Sequence, residues 1–200
     1  YRACQNARSG PVAEGSVGAG TGATVAKILG MERSLKGGVG TARVQLGDRL
    51  VVGAVVVVNA VGDVVDPDTG ELVAGPRHED GVTMLRSMEL MTAPGFAPGD
   101  QASPTNTTIG VVATNARLNK EQANKLAQIG HDGLALAVRP CHSMGDGDVV
   151  FALATGKSGG EVDMRQLCSA TTLAVAQAVV RAVMTATGLG GVPSAQEATR

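Results

Sequence analysis

The feature that most limits how this chain can fold is its near lack of aromatic side chains. Only Tyr1, Phe96 and Phe151 are aromatic among 200 residues, whereas 28 residues are Gly and 44% are hydrophobic. A chain of this length buries roughly 70% of its unfolded surface, so its core has to be built from Val, Ala, Leu and Met. Small side chains let helices and strands approach closely, and the sequence therefore predicts one tightly layered domain over residues 1–200.

Charge, hydropathy and cysteine usage exclude several classes of protein. The 17 basic and 18 acidic residues leave a formal net charge of −1 without a basic stripe, which argues against a nucleic-acid partner. The apolar segments 50–60 and 167–184 are too short or too interrupted by polar residues to predict a membrane span. The three cysteines form no CxxC pair, so we expect no disulfide framework and a reducing, cytoplasmic compartment.

Strand and helix patterns alternate along the chain. Apolar and β-branched runs predict strands at 38–46, 50–58, 107–114 and 148–154. Helical spacing predicts helices at 81–91, 119–137 and 164–187. Residues 92–106 are rich in Pro, Gly, Ala and Asp and predict an exposed, flexible linker. Interleaved strands and helices are typical of an α/β layered fold.

A glycine cluster at Gly18–Gly22 has only a superficial likeness to a dinucleotide-binding loop. That loop follows a strand, opens a helix and is followed by an acidic residue about 20 positions later. Here the preceding segment is polar, and no acid lies in residues 37–46. We interpret the glycines as turn and close-packing positions, and we expect no cofactor.

Histidine and aspartate spacing does not predict a metal site. His78, His131 and His142 show neither HxxxH nor HExxH spacing, so each is interpreted as a surface or hydrogen-bonded side chain. Asp146-Gly-Asp148 begins like a calcium loop, but three apolar residues follow where further oxygen ligands are needed.

The junction between the linker and the third strand carries a possible chemistry. The linker ends at Asn106 and the strand begins at Thr107. A hydroxyl there can attack the preceding carbonyl, form an ester and release a new N-terminal Thr on hydrolysis. Threonine is a weak nucleophile unless a base is adjacent, and a free α-amine with an ordinary pKa of about 7.7–8.0 supplies one. From these residues alone, an ordinary strand start is the favoured interpretation, because Asn-Thr is common at the start of a strand.

Six segments, taken together and in order, resemble the L-aminopeptidase/D-esterase (DmpA-like) family, which includes the nylon-oligomer hydrolases. The segments are Ser9–Lys27, Leu35–Ala42, Val57–Leu72, Asn106–Leu118, His131–Pro140 and Asp146–Gly156. The resemblance implies a four-layer α/β/β/α sandwich, also found in ornithine acetyltransferase, with self-cleavage between Asn106 and Thr107. It further implies a homo-oligomer, a tetramer or larger, of processed heterodimers composed of residues 1–106 and 107–200.

The resemblance also implies roles for individual residues. Thr107 matches the nucleophile, with its freed α-amine as general base. Asn59 matches the residue that donates to the oxyanion, and Lys36 matches a lysine that orients the nucleophile or favours its deprotonated form. Asp146 and Asp148 match the acidic pair that holds the hydroxyl and ammonium groups of the nucleophile. Thr at position 107 and the pair of aspartates resemble the nylon-oligomer hydrolase branch of the family more than the aminopeptidases that use serine.

Some positions depart from the family pattern, and alternatives remain open. Cys141 and Gly145 stand where the family has an apolar and a bulky residue. The family chain extends upstream of Tyr1 and includes an aromatic site residue, so we expect this sequence to be the later part of a longer polypeptide. The expected activity is hydrolysis of amide or ester bonds in small peptides or oligoamides through an acyl-enzyme. The alternatives are acyl transfer, as in ornithine acetyltransferase, and an unprocessed binding protein without activity.

Overall fold

The computed structural model describes residues 1–98, 106–159 and 161–199, apart from the side chain of Ala3. In chain order, the elements are α1 (Arg2–Gln5), β1 (Thr24–Val25), β2 (Leu35–Lys36), β3 (Gly38–Leu46), β4 (Leu50–Val58), β5 (Asp63–Val65), β6 (Leu72–Ala74), α2 (Ser87–Thr92), β7 (Ile109–Thr114), α3 (Lys120–Ala137), β8 (Val138–Arg139), β9 (Val149–Ala154), α4 (Met164–Met184) and α5 (Ala195–Ala198). Two 3₁₀ turns, Gly18–Gly20 and Met31–Arg33, flank β1.

The main sheet has the strand order β3-β4-β7-β9. Its first three strands are antiparallel, whereas β9 runs parallel to β7. Val57 pairs with Ile109, and Ile109 pairs with Val149, so β4 ends where β7 and β9 begin. This register brings the residues that follow β4 and those that precede β7 and β9 to one edge of the sheet. Smaller sheets, β1-β2 and β6-β5-β8, complete the described strands.

Helices α3 and α4 cover one face of the main sheet and form the core with it. The inward positions of β4 alternate with outward ones, as expected for a strand with one buried face; the inward residues are Val52, Ala54, Val56 and Val58. Helix α4 approaches β3 so closely that a Cβ atom at Gly40 would lie 1.9 Å from the carbonyl oxygen of Ala178. The expectation that small residues permit tight layering is confirmed at this contact.

The opposite face of the main sheet carries exposed apolar side chains. Val55, Ile109, Phe151 and Leu153 are 39%, 44%, 55% and 54% exposed, respectively. The predicted four-layer sandwich assigns this face to a second sheet. Among the described residues, the helix layer and the main sheet account for two of those four layers.

The predicted strands 38–46 and 50–58 match β3 and β4, whereas the later two begin one or two residues after their predicted starts. The predicted helix 119–137 matches α3, for which Asn119 is the N-cap with a complete capping box. The prediction of a helix over 81–91 is wrong for its first six residues. There, Asp80 accepts hydrogen bonds from the amides of Val82 and Thr83, and only Ser87–Thr92 is helical.

Helix α4 is, within the described ranges, the one helix long and apolar enough to cross a membrane, with a mean hydropathy of 1.5 in its most apolar window. Of that window, 56% is buried inside the protein, where α4 packs on β3, β4 and α3. Its apolar composition is therefore explained by its place in the core. Residues 99–105 of the predicted linker 92–106 lie outside the described residues, so the flexibility of the linker stays a prediction.

Candidate active site

A cleft of about 420 Å³ opens at the edge of the main sheet where β4 ends and β7 begins. Asn59, Thr107 and Ile109 lie on its sheet side, and Ala19 with Gly22–Ala23 lines it from the glycine-rich segment. Within that segment, a Cβ atom at Gly20 would lie 2.5 Å from the carbonyl oxygen of Gly15. The close-packing interpretation of the glycines therefore holds at Gly20, and the segment forms a wall of the cleft.

The peptide bond between Asn106 and Thr107 lies at this edge of the sheet, and both its N–H and its carbonyl oxygen are held by hydrogen bonds. The Thr107 amide donates to the backbone oxygen of Asn59 at 2.9 Å. The Thr107 hydroxyl donates to the carbonyl oxygen of Asn106 at 2.7 Å. The same carbonyl accepts a second hydrogen bond, from the amide of Gly147 at 2.9 Å. Two donors therefore polarise this carbonyl, and one of them is the hydroxyl that the sequence predicts to be the nucleophile.

Gly147 is a site residue that sequence reasoning did not identify. A Cβ atom at this position would lie 2.8 Å from Oγ1 of Thr107, closer than side chains approach one another. Only glycine lets the backbone pass directly beneath the hydroxyl while its N–H points at the Asn106 carbonyl. The glycine inside Asp146-Gly-Asp148 was the available signal, because a residue without a Cβ often marks a close backbone approach.

The two predicted aspartates flank Gly147 and differ in their hydrogen bonding. Asp148 is almost fully buried, and its Oδ1 accepts the amide hydrogen of Thr108 at 2.7 Å. Asp146 accepts from the amide and hydroxyl of Ser143 through Oδ2, at 2.8 and 2.7 Å. Its Oδ1 is buried and has no hydrogen-bond partner among the described residues. A buried carboxylate oxygen without a donor is costly, so a donor supplied during function is expected there.

Lys27 is a second site residue that sequence reasoning did not identify. It is buried, and its Nζ donates to Oδ1 of Asn59 at 2.9 Å. Burial lowers the pKa of Lys27 to about 8, against the opposing attraction of Asp146. The preceding Ala26 has a φ of 58°, a left-handed conformation that is strained for a side chain with a Cβ. A lone lysine inside the apolar segment 24–29 was the signal for this position.

Lys36 lies elsewhere in the hydrogen-bonding network. Its Nζ donates to the carbonyl oxygen of Thr21 at 2.7 Å, in the glycine-rich wall of the cleft. Burial lowers the pKa of Lys36 as well. Lys27 thus donates to Asn59 and Lys36 donates to Thr21, and the predicted role of Lys36 stays a prediction.

The side-chain amide of Asn59 has a defined orientation. Its Oδ1 accepts from the Thr24 amide at 3.1 Å and from Lys27 at 2.9 Å. Backbone N–H and ammonium groups only donate, so this atom has to be the oxygen, and the NH₂ group lies at the other end of the amide. This orientation agrees with the predicted role of Asn59 as a donor to an oxyanion.

Comparison with known proteins adds an independent line of support. The model of peptidase family S58 matches residues 1–196. The chain is 40% identical over 217 residues to an uncharacterized aminopeptidase of Mycobacterium leprae, covering 97% of this chain and 57% of that protein. It is 34% identical over 151 residues to the 6-aminohexanoate-oligomer endohydrolase of Paenarthrobacter ureafaciens, covering 73% of this chain and 41% of that protein. The chain thus spans about half the length of the curated relatives it matches.

Solved structures show the same similarity. A β-aminopeptidase of Burkholderia sp. superimposes with a TM-score of 0.65 and 27% identity, over 99% of this chain and 55% of its own. The L-aminopeptidase D-Ala-esterase/amidase of Ochrobactrum anthropi, described as a variant of the Ntn hydrolase fold, gives a TM-score of 0.63 and 25% identity. That match covers 96% of this chain and 50% of the solved one.

Proposed function

The chain belongs to peptidase family S58, and we propose on this basis that it is a self-processing hydrolase of small peptides or oligoamides with Thr107 as nucleophile. Membership confirms the family resemblance and the α/β fold predicted from the sequence. The observation that carries the proposal is the position of the Thr107 hydroxyl. It lies 2.7 Å from the carbonyl oxygen of Asn106, on a carbonyl that Gly147 also polarises.

Self-cleavage begins with attack of Thr107 Oγ1 on the carbonyl carbon of Asn106. The hydroxyl proton passes to the Thr107 nitrogen as the C–N bond breaks, which leaves an ester and a free amine. Negative charge on the Asn106 oxygen is stabilised by the Gly147 N–H, which already points at it from 2.9 Å. Water then hydrolyses the ester, so that Asn106 ends in a carboxylate and Thr107 regains its hydroxyl behind a new amino group.

The new amino group of Thr107 can donate a hydrogen bond to Oδ1 of Asp146, which has no partner among the described residues. Asn106 and Asp146 form a parallel β-bridge, so the buried Oδ1 of Asp146 belongs to the same small region as the cleaved bond. An ammonium group there satisfies that oxygen. The nearby positive charge of Lys27, whose pKa is about 8, favours loss of the ammonium proton and so supplies a neutral amine near neutral pH.

Turnover of a substrate uses the same groups after cleavage. The amine takes the proton of the Thr107 hydroxyl as the oxygen attacks the substrate carbonyl, and it returns that proton to the leaving amine. The NH₂ group of Asn59 donates to the oxyanion, with its orientation fixed by Lys27. Water then attacks the acyl-enzyme, assisted by the same amine, and releases the acid product.

The cleft and the relatives indicate the class of substrate. A cleft of about 420 Å³ with walls of Ala and Gly accepts a short, extended amide rather than a folded protein. The relatives are named as an aminopeptidase and as an oligomer endohydrolase for 6-aminohexanoate. We therefore propose aminoacyl amides, short peptides and linear oligoamides as substrates.

The test is a panel of aminoacyl p-nitroanilides and 6-aminohexanoate oligomers, with wild type and Thr107→Ala compared. We expect hydrolysis by the wild type and none by the variant. An added amine acceptor separates hydrolysis from acyl transfer: a free acid as the main product supports the proposal, and an amide of the added amine contradicts it.

A further inference from the structure

Three side chains with different metal-binding groups meet beside β9. One ligand atom each from Cys141, His142 and Asp148 lies within 4.8 Å of the other two. Oδ2 of Asp148 is 2.9 Å from Nδ1 of His142 and 3.6 Å from Sγ of Cys141. We propose that this cluster is a binding site for a thiophilic divalent cation, with Zn²⁺ as the reference ion.

A tetrahedral ion requires side-chain adjustments within this cluster. Zn²⁺ binds Cys sulfur at about 2.3 Å and His nitrogen or carboxylate oxygen at about 2.0–2.2 Å. Ligand atoms around such an ion are therefore roughly 3.3–3.7 Å apart. The 3.6 Å between Asp148 Oδ2 and Cys141 Sγ lies in this range, whereas the 2.9 Å between Asp148 Oδ2 and His142 Nδ1 has to lengthen when a cation enters. Three protein ligands leave a fourth position for water. Sequence spacing did not predict this site, because the turn before β9 is what brings Asp148 close to Cys141 and His142.

The backbone conformation at His142 directs the imidazole ring towards Asp148. His142 has a φ of 57°, a left-handed conformation that is uncommon for a residue with a Cβ. Such conformations concentrate at functional and ligand-binding positions, because the surrounding structure has to hold them. Its side chain is 39% exposed, whereas that of Asp148 is 5% exposed. A cation can therefore arrive from solvent at His142 and meet a buried carboxylate behind it.

His131, on helix α3, supplies the outer contact that a metal-bound imidazole needs. Its Nδ1 lies 3.3 Å from Nε2 of His142, and the ring centroids are 4.8 Å apart. When Nδ1 of His142 binds a cation, the proton of that ring resides on Nε2 and is donated to Nδ1 of His131. A ligating histidine commonly donates its second ring N–H in this way, which fixes its tautomer and orientation.

Binding of a cation at this cluster is expected to change the proposed active centre. This effect on activity rests on the proposed function, whereas the metal site itself does not. The thiol of Cys141 gives its proton to solvent as the metal–sulfur bond forms. Oδ2 of Asp148 then binds the cation, while Oδ1 remains bonded to the Thr108 amide beside the nucleophile. Because both oxygens belong to one carboxylate, a cation that draws Oδ2 toward it also shifts the Thr108 amide held by Oδ1. This displaces the adjacent Thr107, so we expect the bound cation to inhibit hydrolysis.

The test is a Co²⁺ titration of the metal-free protein, followed by the thiolate-to-cobalt charge-transfer absorption. Wild type and the inactive Thr107→Ala are expected to saturate at one equivalent, with displacement of the cobalt by Zn²⁺. Cys141→Val keeps an apolar side chain and is expected to weaken binding by more than about tenfold and remove the absorption. Cys168→Val removes the other half-buried thiol, on α4, and serves as the matched control.

An absorption that survives in Cys141→Val, or that never saturates, overturns the site. In an active protein, Zn²⁺ at saturating concentration is expected to inhibit wild type and to spare Cys141→Val; undiminished hydrolysis with the site filled overturns the inhibitory role. The spectral titration does not depend on hydrolysis. A protein that binds cobalt through Cys141 but never cleaves a substrate therefore contradicts the proposed function and leaves the metal site standing.

Discussion

Nζ of Lys27 lies 2.9 Å from Oδ1 of Asn59, inside the protein and at the edge of the main sheet. A buried ammonium group held against one end of an amide fixes which end of that amide donates. In the proposed mechanism, Lys27 acts on the oxyanion through Asn59, and its charge acts on the amino group that self-cleavage would release. The contact joins β1, from the glycine-rich part of the chain, to the end of β4.

Replacement of Lys27 by Met is expected to lower kcat/KM by about 100-fold, because the Asn59 amide loses the group that orients it. Lys36→Met is the matched comparison, since Lys36 is also buried and also donates a single hydrogen bond, to Thr21. Steady-state kinetics of both variants measures the difference. A larger loss in Lys36→Met would assign the site lysine to the residue predicted from the family resemblance.

Asn59→Ala is expected to reduce kcat by about 10²–10³-fold with a small change in KM, because an oxyanion donor acts mainly in the transition state. Asn115→Ala is the control, since Asn115 is a structural amide at the other end of the sheet that bonds to Arg49 and Val51. Kinetics on processed protein measures the effect. A rise in KM without loss of kcat would contradict the assigned role.

Gly147→Ala is expected to slow self-cleavage by about 100-fold, because a Cβ atom 2.8 Å from Oγ1 of Thr107 displaces the hydroxyl from the Asn106 carbonyl. Gly145→Ala is the control: a Cβ atom there meets nothing within 4 Å. The rate is followed by electrophoresis after rapid purification. Equal rates in the two variants would remove Gly147 from the mechanism.

Asp63 makes the folding stability depend on pH. It is buried, it accepts two hydrogen bonds from Ser87, and burial raises its pKa from 3.8 to about 6. A carboxyl group with a raised folded-state pKa stabilises the fold fully below pH 3.8 and loses that contribution as the pH rises through 6. The loss is about 2–3 kcal/mol in the free energy of unfolding.

Urea unfolding at pH 4 and pH 7 checks this contribution. The difference between the two pH values is expected to shrink in Asp63→Asn, which cannot ionise, and to persist in Asp68→Asn, where the carboxyl is exposed. An unchanged difference in Asp63→Asn would contradict the raised pKa.

Local sequence patterns predicted the fold better than the details of the site. β-Branched runs predicted β3 and β4, and helical spacing predicted α3, because those signals act within a few residues. The helix predicted over 81–91 failed at its start, because the turn at Asp80 offers the backbone stronger local hydrogen bonds. No local pattern in the sequence predicts that the face of the main sheet with Phe151 is exposed, because burial of that face depends on what packs against the sheet.

The site needed information that spacing does not contain. Asn59, Thr107 and Asp148 were named from family motifs, and the register of the main sheet brings them to one edge. Lys27 was not named, because its contact with Asn59 depends on where β1 lies. Gly147 was not named, because the clearance beneath Thr107 Oγ1 exists only in three dimensions.

In the proposed function, Thr107 cleaves the bond that precedes it and then serves as the nucleophile. Intact mass spectrometry under denaturing conditions, on wild type and Thr107→Ala after native incubation, tests it most directly. We expect the wild type to separate into two chains between Asn106 and Thr107, while Thr107→Ala remains one chain. A wild type that stays intact, or a variant that separates at the same bond, would contradict it.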